Sequence, residues 1–110
     1  MKVPNARRAV IERAKLVDYL LNPEHVYGGP KAKLLRSLGY AIDDWSRLES
    51  DIRSQHLTQD VSATREVAWG VRYEIVGLLA GPAGKSVMFR SIWQIDRGTD
   101  APRLVTMYPE

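Results

Sequence analysis

The chain has 110 residues, of which 45% are hydrophobic and 26% are charged, and this length and balance exclude a large multidomain enzyme. It carries 16 Lys and Arg against 13 Asp and Glu, a formal net charge of +3, so a polyanionic partner is permitted but not required. The absence of cysteine excludes disulfides, a thiolate nucleophile and any metal site built on Cys.

The first third of the chain predicts a helix followed by a glycine-rich loop. Leu16, Leu20 and Leu21 recur at helical spacing until an Asn-Pro pair breaks the pattern. The next segment, residues 24–30 (EHVYGGP), predicts a turn or loop. Residues 1–36 hold 8 Lys and Arg and 3 Asp and Glu, a balance of +5, so any anion-binding site should involve this third.

Two more helices are predicted before the chain changes character. Pro30 suits the first position of a helix through residues 31–38, and Gly39 provides its left-handed C-terminal cap. Lys31 then lies in the first turn, where free backbone N–H groups attract an anion and a lysine adds to that attraction. A third helix is expected to begin with Asp43 as its N-cap. Its buried stripe is expected to comprise Trp45, Leu48, Ile52 and His56.

From about Asp60 the hydrophobic period changes to two, which predicts strands. The predicted strands span residues 63–69, 71–80, 86–96 and 103–108. Short connections rich in Gly and Pro favour an antiparallel meander. Helices first and a sheet second predict an α+β fold, with about three N-terminal helices, a four-stranded antiparallel meander and one helix packed on the sheet.

The segment GPAGKS at residues 81–86 superficially resembles a nucleotide-binding loop. The P-loop pattern would need its first glycine where this chain has Leu79, and it would need a helix afterwards, whereas a strand follows here. We therefore interpret the segment as a hairpin loop. His25 and His56 lie far apart in sequence and no ligand spacing is recognisable, so no metal site and no cofactor are predicted.

The residue pair with the clearest chemical potential is His25 and Lys31. A titratable imidazole lies in a glycine-containing loop six residues before a lysine at a helix start, a combination suited to phosphate. The alternative is a solvated surface histidine and an ordinary exposed lysine. His56 is expected to be structural, stabilised by the dipole at its helix C-terminus and packed beside Ile52.

The predicted sheet carries arginines on three different strands, namely Arg72, Arg90 and Arg103, while Thr106 and Tyr108 share one face of the last strand. A row of arginines across a sheet can bind phosphates. The same residues can equally form a solvated outer face with cross-strand ion pairs.

The motifs LNPEHxxGxxKA at residues 21–32 and PRLVTxYP at residues 102–109 resemble an uncharacterised bacterial domain family. The helix-then-sheet order with a His-x-x-Gly-x-x-Lys stretch is similar to ribonuclease toxins of the barnase, EndoU, colicin and RelE type. The resemblance implies a metal-independent ribonuclease that directs the RNA 2'-hydroxyl at the adjacent phosphate. The implied catalytic residues are His25 as acid or base, Lys31 and Thr106, with phosphate or RNA contacts from Arg72, Arg90, Arg103 and Tyr108.

The leading hypothesis is therefore the toxin of a bacterial toxin–antitoxin pair, with RNA as substrate and a small acidic antitoxin as partner. An alternative is a non-enzymatic module whose sheet face binds protein or RNA. An antitoxin or immunity protein is disfavoured by the net positive charge. With no apolar run of about 18 residues and no signal-peptide core, we expect one domain over residues 1–110, in the cytoplasm and without a membrane contact.

Overall fold

The computed structural model describes all residues from Met1 to Glu110 and confirms the predicted α+β fold. The helical elements are a 3-10 turn (Ala6–Arg8), a π-helical segment (Lys15–Leu20), helix α1 (Gly29–Ser37), a second 3-10 turn (Ile42–Asp44) and helix α2 (Trp45–Gln55). The strands are β1 (Ala63–Val67), β2 (Gly70–Ala80), β3 (Ser86–Asp96) and β4 (Arg103–Pro109). No helix is both long and apolar enough to cross a membrane.

The four strands form one antiparallel sheet in the order β1-β2-β3-β4. The GPAGKS segment joins β2 to β3 as the expected hairpin loop, with Gly81 N–H donating to the Lys85 carbonyl over 2.9 Å. The register between β3 and β4 shifts at Ile92 and Trp93, and a bulge of this kind bends the edge strand locally. At the start of β4, Val10 pairs in parallel with Arg103. The N-terminal segment thereby covers part of an edge that would otherwise be open.

Helix α2 lies over one face of the sheet and buries the expected stripe. Leu48, Ile52 and His56 are fully buried, whereas Trp45, the first residue of the expected stripe, is half-buried and packs against the core. His56 bonds residues of both β2 and β3. The largest core side chains on this face of the sheet are Ile75, Leu79, Phe89, Trp93 and Met107. Burial of these apolar surfaces, at about 25 cal/mol per Å², holds the helices on the sheet.

The first helix differs from the prediction in its winding. Leu21 N–H donates to the Leu16 carbonyl five residues earlier over 2.8 Å, so residues 15–20 form a π-helix rather than an ordinary α-helix. Because the wider turn brings residues five apart onto one side, Leu16, Leu20 and Leu21 are all buried together. π-Helical turns occur frequently at functional sites.

The start of the third helix also differs from the prediction. Asp43 is not the N-cap but lies inside the 3-10 turn, where the N–H of Asp44 donates to the Ala41 carbonyl over 3.1 Å. The α-helix itself begins at Trp45. A tightened 3-10 turn in front of an α-helix moves the boundary by one or two residues, which sequence patterns do not resolve.

His56 is structural, as predicted, but the reason differs from the prediction. Its Nδ1 lies 2.8 Å from Ser91 Oγ and its Nε2 lies 3.1 Å from the Gly77 carbonyl oxygen. Because the Gly77 carbonyl oxygen can only accept, the ring proton lies on Nε2. Nδ1 then accepts from Ser91 Oγ, which itself accepts from Trp93 Nε1 over 3.0 Å. Burial lowers the pKa of His56, outweighing the bond to Gly77. A neutral ring, rather than a cation on a helix dipole, therefore belongs to the folded state.

We expect the free energy of unfolding to decrease as the pH is lowered, because buried His56 is neutral in the folded state. A histidine pKa of 6.5 in the unfolded chain and a lower pKa in the folded one make the unfolded state bind more protons, so stability is lost as pH falls below about 6.5. His56→Gln should abolish that part of the slope and cost about 1–3 kcal/mol at neutral pH. Urea denaturation between pH 7.5 and 5 measures both effects, with His25→Gln as control. Identical slopes for wild type and His56→Gln would contradict the assignment.

A candidate active-site cleft beside the last strand

A cleft of about 520 Å³ opens between the π-helical segment, the loop after it and strand β4. Its lining residues are Glu12, Ala14, Lys15, Tyr19, His25, Val105 and Thr106. The tertiary structure therefore brings together His25 and Thr106, two of the three predicted catalytic residues, although 81 positions separate them in the sequence.

Lys31, the third predicted catalytic residue, joins the cleft through Tyr19 and Thr106. Its ammonium group donates a hydrogen bond to the Tyr19 hydroxyl and a second one, of 2.9 Å, to Thr106 Oγ1. The Tyr19 and Thr106 oxygens lie 2.9 Å from each other. The three polar groups thus form a closed triangle, which is half-buried at the cleft wall.

The surroundings of the Tyr19 hydroxyl lower its pKa. Partial burial raises the pKa of Tyr19, but hydrogen bonds from Lys31 and Thr106 and the charges of Lys31 and Lys15 outweigh burial, so the pKa falls below its ordinary value of 10. The Lys31 and Lys15 ammonium groups lie 4.8 and 5.6 Å from the centre of the Tyr19 ring. Two cations and two hydrogen bonds stabilise the phenolate form.

His25 is held by its own loop in one orientation. Its Nδ1 accepts the backbone N–H groups of Tyr27 at 3.1 Å and Gly28 at 3.0 Å, which favours the tautomer with the proton on Nε2. The ring meets Tyr19 edge to face, with 4.8 Å between ring centres. Nε2 is therefore the ring nitrogen available to a ligand in the cleft.

Close packing between the loop and the π-helical segment explains the glycine in the His-x-x-Gly-x-x-Lys stretch. A Cβ atom at Gly28 would overlap the Tyr19 carbonyl and lie 2.8 Å from the Tyr19 ring. Its φ of −87° is open to any residue, so space rather than backbone conformation requires glycine. This contact keeps Tyr19 and His25 side by side.

The predicted phosphate-binding arginines lie on the sheet face opposite α2, and two of them are ion-paired. Arg90 contacts Glu74 at 2.6 Å and Glu110 at 2.7 Å, and Arg103 contacts Asp96 at 2.7 Å. The alternative of cross-strand ion pairs therefore describes these two side chains in the structure. Their role in binding phosphate stays a prediction.

Of the two remaining predicted RNA contacts, Tyr108 lies near the cleft and Arg72 lies away from it. Arg72 lies on β2, two strands away from β4, and bonds Gln94 Oε1 over 2.9 Å. Tyr108 is closer, because its ring centre lies 5.9 Å from the Lys31 ammonium group. The geometry thus associates Tyr108 with the cleft and separates Arg72 from it.

Tyr19 is the residue that the sequence interpretation missed. It lies 12 positions before Lys31 and 87 before Thr106, and no periodicity relates such positions. Its only sequence signal is its place two residues before the LNPEH motif. No group of three or more His, Cys, Asp or Glu side chains in the structure is arranged to hold a metal ion.

Comparison with known proteins identifies a family and a fold. Residues 2–110 match the model of a family described as a domain of unknown function, DUF6883. No curated protein matches the sequence significantly. The fold is similar to a chain of a solved structure described as a contact-dependent growth inhibition toxin–immunity protein complex from Klebsiella pneumoniae 342, with a TM-score of 0.72 and 19% identity over 92% of this chain and 99% of that chain. At this identity the likeness shows a shared fold.

Proposed function

The chain belongs to the DUF6883 family of domains of unknown function, and we propose that this domain is a metal-independent ribonuclease that acts as the toxin of a bacterial toxin–antitoxin pair. The observation that carries the proposal is the triangle of Lys31, Tyr19 and Thr106 with His25 against the Tyr19 ring. It combines a proton acceptor, a hydrogen-bond donor and a fixed positive charge in one open cleft.

These groups match what cleavage of RNA at its own 2'-hydroxyl needs. The 2'-oxygen bonds to phosphorus while its proton passes to the Tyr19 phenolate. The bond from phosphorus to the 5'-oxygen breaks, and that oxygen takes a proton from solvent, while the Nε2–H of neutral His25 donates a hydrogen bond to the phosphate. The products are a 2',3'-cyclic phosphate and a 5'-hydroxyl end, and Tyr19 releases its proton to solvent.

Lys31 supplies the charge that a metal ion supplies in other nucleases. As phosphorus becomes five-coordinate, negative charge grows on its non-bridging oxygens, and a fixed ammonium group stabilises that charge without reorganising. Lys15 lines the same cleft and adds a second cation. Thr106 Oγ1, bonded to Lys31 over 2.9 Å, orients the lysine and offers a hydroxyl to a phosphate oxygen.

Two observations support the role as a toxin. The fold is similar to that of a chain from a toxin–immunity protein complex. Five of the seven residues that line the cleft also come from the N-terminal third, where the charge balance is +5, so a small acidic protein would be attracted to it and could cover it. We place the action in the cytoplasm, where RNA is the substrate.

One feature favours a second candidate function, a non-enzymatic protein-binding module. On the face of the sheet away from α2, Leu78 and Met88 are cross-strand partners and are 53% and 41% exposed. An exposed apolar pair on a sheet is a feature of contact surfaces. A protein partner on this face would leave the cleft unused.

The decisive experiment is cleavage of total RNA by the purified chain in the presence of EDTA, with analysis of the product ends. We expect cleavage to survive the chelator and to leave 2',3'-cyclic phosphates. His25→Ala removes a hydrogen-bond donor to the phosphate and should reduce the rate by about 100-fold, whereas His56→Gln, remote from the cleft, should cleave at the wild-type rate when folded. Intact RNA after incubation with folded wild-type protein would reject the ribonuclease and favour the binding module.

Expression in a bacterial cell separates toxin from antidote. Induction of the wild-type chain alone should arrest growth, and induction of His25→Ala should not. Harmless expression of a wild-type chain that also cleaves no RNA would contradict the toxin role and favour an immunity protein of the same fold.

A further inference from the structure

The loop that carries His25 also presents two large apolar side chains to solvent. Val26 is 83% exposed and Tyr27 is 78% exposed. Neither contributes to the core, so folding does not explain an aromatic residue at this position. Exposed aromatic residues next to a polar cleft are characteristic of surfaces that bind nucleic-acid bases.

The exposed tyrosine stands on a well-bonded backbone. Tyr27 N–H donates to His25 Nδ1 over 3.1 Å, the Gly29 N–H donates to the His25 carbonyl over 2.8 Å, and the His25 N–H donates to the Asn22 carbonyl over 3.2 Å. The same hydrogen bonds therefore position His25 and Tyr27 relative to each other. Because the backbone of Tyr27 is already fixed, only its side-chain torsions remain to be ordered when a ligand stacks on the ring.

The spacing of the two rings suits two neighbouring parts of one nucleotide. The ring centres of His25 and Tyr27 lie 6.2 Å apart, with the planes inclined by 51°. In RNA one ribose separates a phosphate from its base. When Nε2 of His25 reaches the scissile phosphate, Tyr27 lies where an adjoining base would be.

We propose that Tyr27 is a stacking platform for an unpaired nucleobase next to the scissile phosphate, which makes single-stranded RNA the substrate class. This inference rests on the proposed ribonuclease function and deepens it. A base inside a helix is already stacked between its neighbours, so only a base that is free to turn outward can lie on the tyrosine. Stacking tolerates every base, so Tyr27 contributes affinity for single strands rather than a sequence code.

The test compares Tyr27→Ala with Tyr27→Phe in steady-state cleavage of a single-stranded oligoribonucleotide by the full chain. We expect Tyr27→Ala to raise KM by about 10-fold or more, with a smaller change in kcat, because stacking of one base commonly accounts for such a factor. Tyr27→Phe keeps the ring and should retain wild-type KM. Annealing a complementary strand to the substrate should suppress cleavage.

The matched control is Trp69→Ala. Trp69 is 76% exposed but lies in the turn between β1 and β2, at the other side of the sheet from β4. The Trp69→Ala variant should cleave the single-stranded oligoribonucleotide with the wild-type KM. Thermal melting of every variant should be unchanged, since neither side chain is buried.

Two results would overturn the stacking subsite: wild-type KM for Tyr27→Ala, or equal cleavage of single-stranded and duplex RNA. If the proposed ribonuclease activity is itself wrong, the result is distinguishable, because the wild-type chain then cleaves neither single-stranded nor duplex RNA. In that case, fluorescence anisotropy with a labelled single-stranded oligoribonucleotide decides the subsite separately. Weaker binding by Tyr27→Ala than by Tyr27→Phe supports it, and equal affinities reject it.

Discussion

Replacing Lys31 with methionine is expected to reduce RNA cleavage by about 100- to 10,000-fold. The substitution keeps an unbranched side chain that is one atom shorter and removes the ammonium group that donates to Tyr19 and Thr106. Two losses then combine, because the pentacoordinate phosphate is no longer stabilised and the Tyr19 phenolate loses its strongest cation. Initial rates of cleavage of a single-stranded RNA by wild type and Lys31→Met measure the effect.

A pH profile distinguishes this role from a merely structural one. The charge and hydrogen bond of Lys31 lower the pKa of Tyr19, so in wild type the rate should rise towards a midpoint below pH 10. In Lys31→Met the midpoint should move to higher pH, since the phenolate is less stable. Lys33→Met, an exposed lysine of the same helix, is the control and should change neither rate nor midpoint. A Lys31→Met rate within a few-fold of wild type would remove this lysine from the mechanism.

The second large effect is expected for Tyr19→Phe, with a loss of about 100- to 10,000-fold in kcat. Phenylalanine keeps the ring that packs edge to face on His25 at 4.8 Å and removes only the hydroxyl. Lys31 retains its bond to Thr106, so we expect a stability cost of only about 0.5–1.5 kcal/mol. Single-turnover cleavage with enzyme in excess measures the chemical step directly.

The pH dependence again identifies the role of the hydroxyl. If Tyr19 accepts the 2'-proton, the alkaline rise in rate should disappear in Tyr19→Phe rather than shift. Tyr73→Phe is the matched control, because Tyr73 packs against the core from β2 and does not line the cleft. An active Tyr19→Phe with an unchanged profile would transfer the role of base to another group and leave Tyr19 as a packing residue.

The ion pairs of the sheet arginines compete with the phosphate binding predicted for them. Arg90 is shared between Glu74 and Glu110, and a phosphate would have to replace these carboxylates to be bound by it. Glu74 is buried, and loss of Arg90 would leave its carboxylate with Arg65 as its remaining cation, so this exchange is unfavourable. Lys15 and Lys31, which have no carboxylate partner within 4 Å, are the more accessible cations for RNA.

The strands were predictable because their signals are local. The alternation of side chains and the turn residues between runs are both read over fewer than ten positions. The predicted range 86–96 coincides with β3, and 71–80 and 103–108 each differ from their strands by one residue. The helical half was less predictable, since π-winding at 15–20 and the 3-10 turn before α2 depend on which side chains the core accepts.

The candidate site likewise contains residues that the sequence indicated and residues that it did not. A motif of twelve residues was enough to propose His25 and Lys31. A histidine in a glycine-containing loop can exchange a proton, and a lysine at a helix start can attract an anion, and both properties follow from the local sequence. Thr106 came from the resemblance of the last strand to a family pattern. None of these residues indicated Tyr19, and none indicated which arginines would be neutralised by carboxylates.

Sequence patterns thus decided the order of helices and strands, the turns between the strands and the positive charge of the first third, all of which follow from neighbours along the chain. Only the tertiary structure decided that the Tyr19 hydroxyl meets Lys31 and Thr106, and that Nδ1 of His25 is occupied by its own loop. The pKa of a side chain and the tautomer of a ring depend on charges and hydrogen bonds within a few ångströms. Those neighbours come from elements up to 87 residues apart, and packing of the core, not spacing along the chain, brings them together.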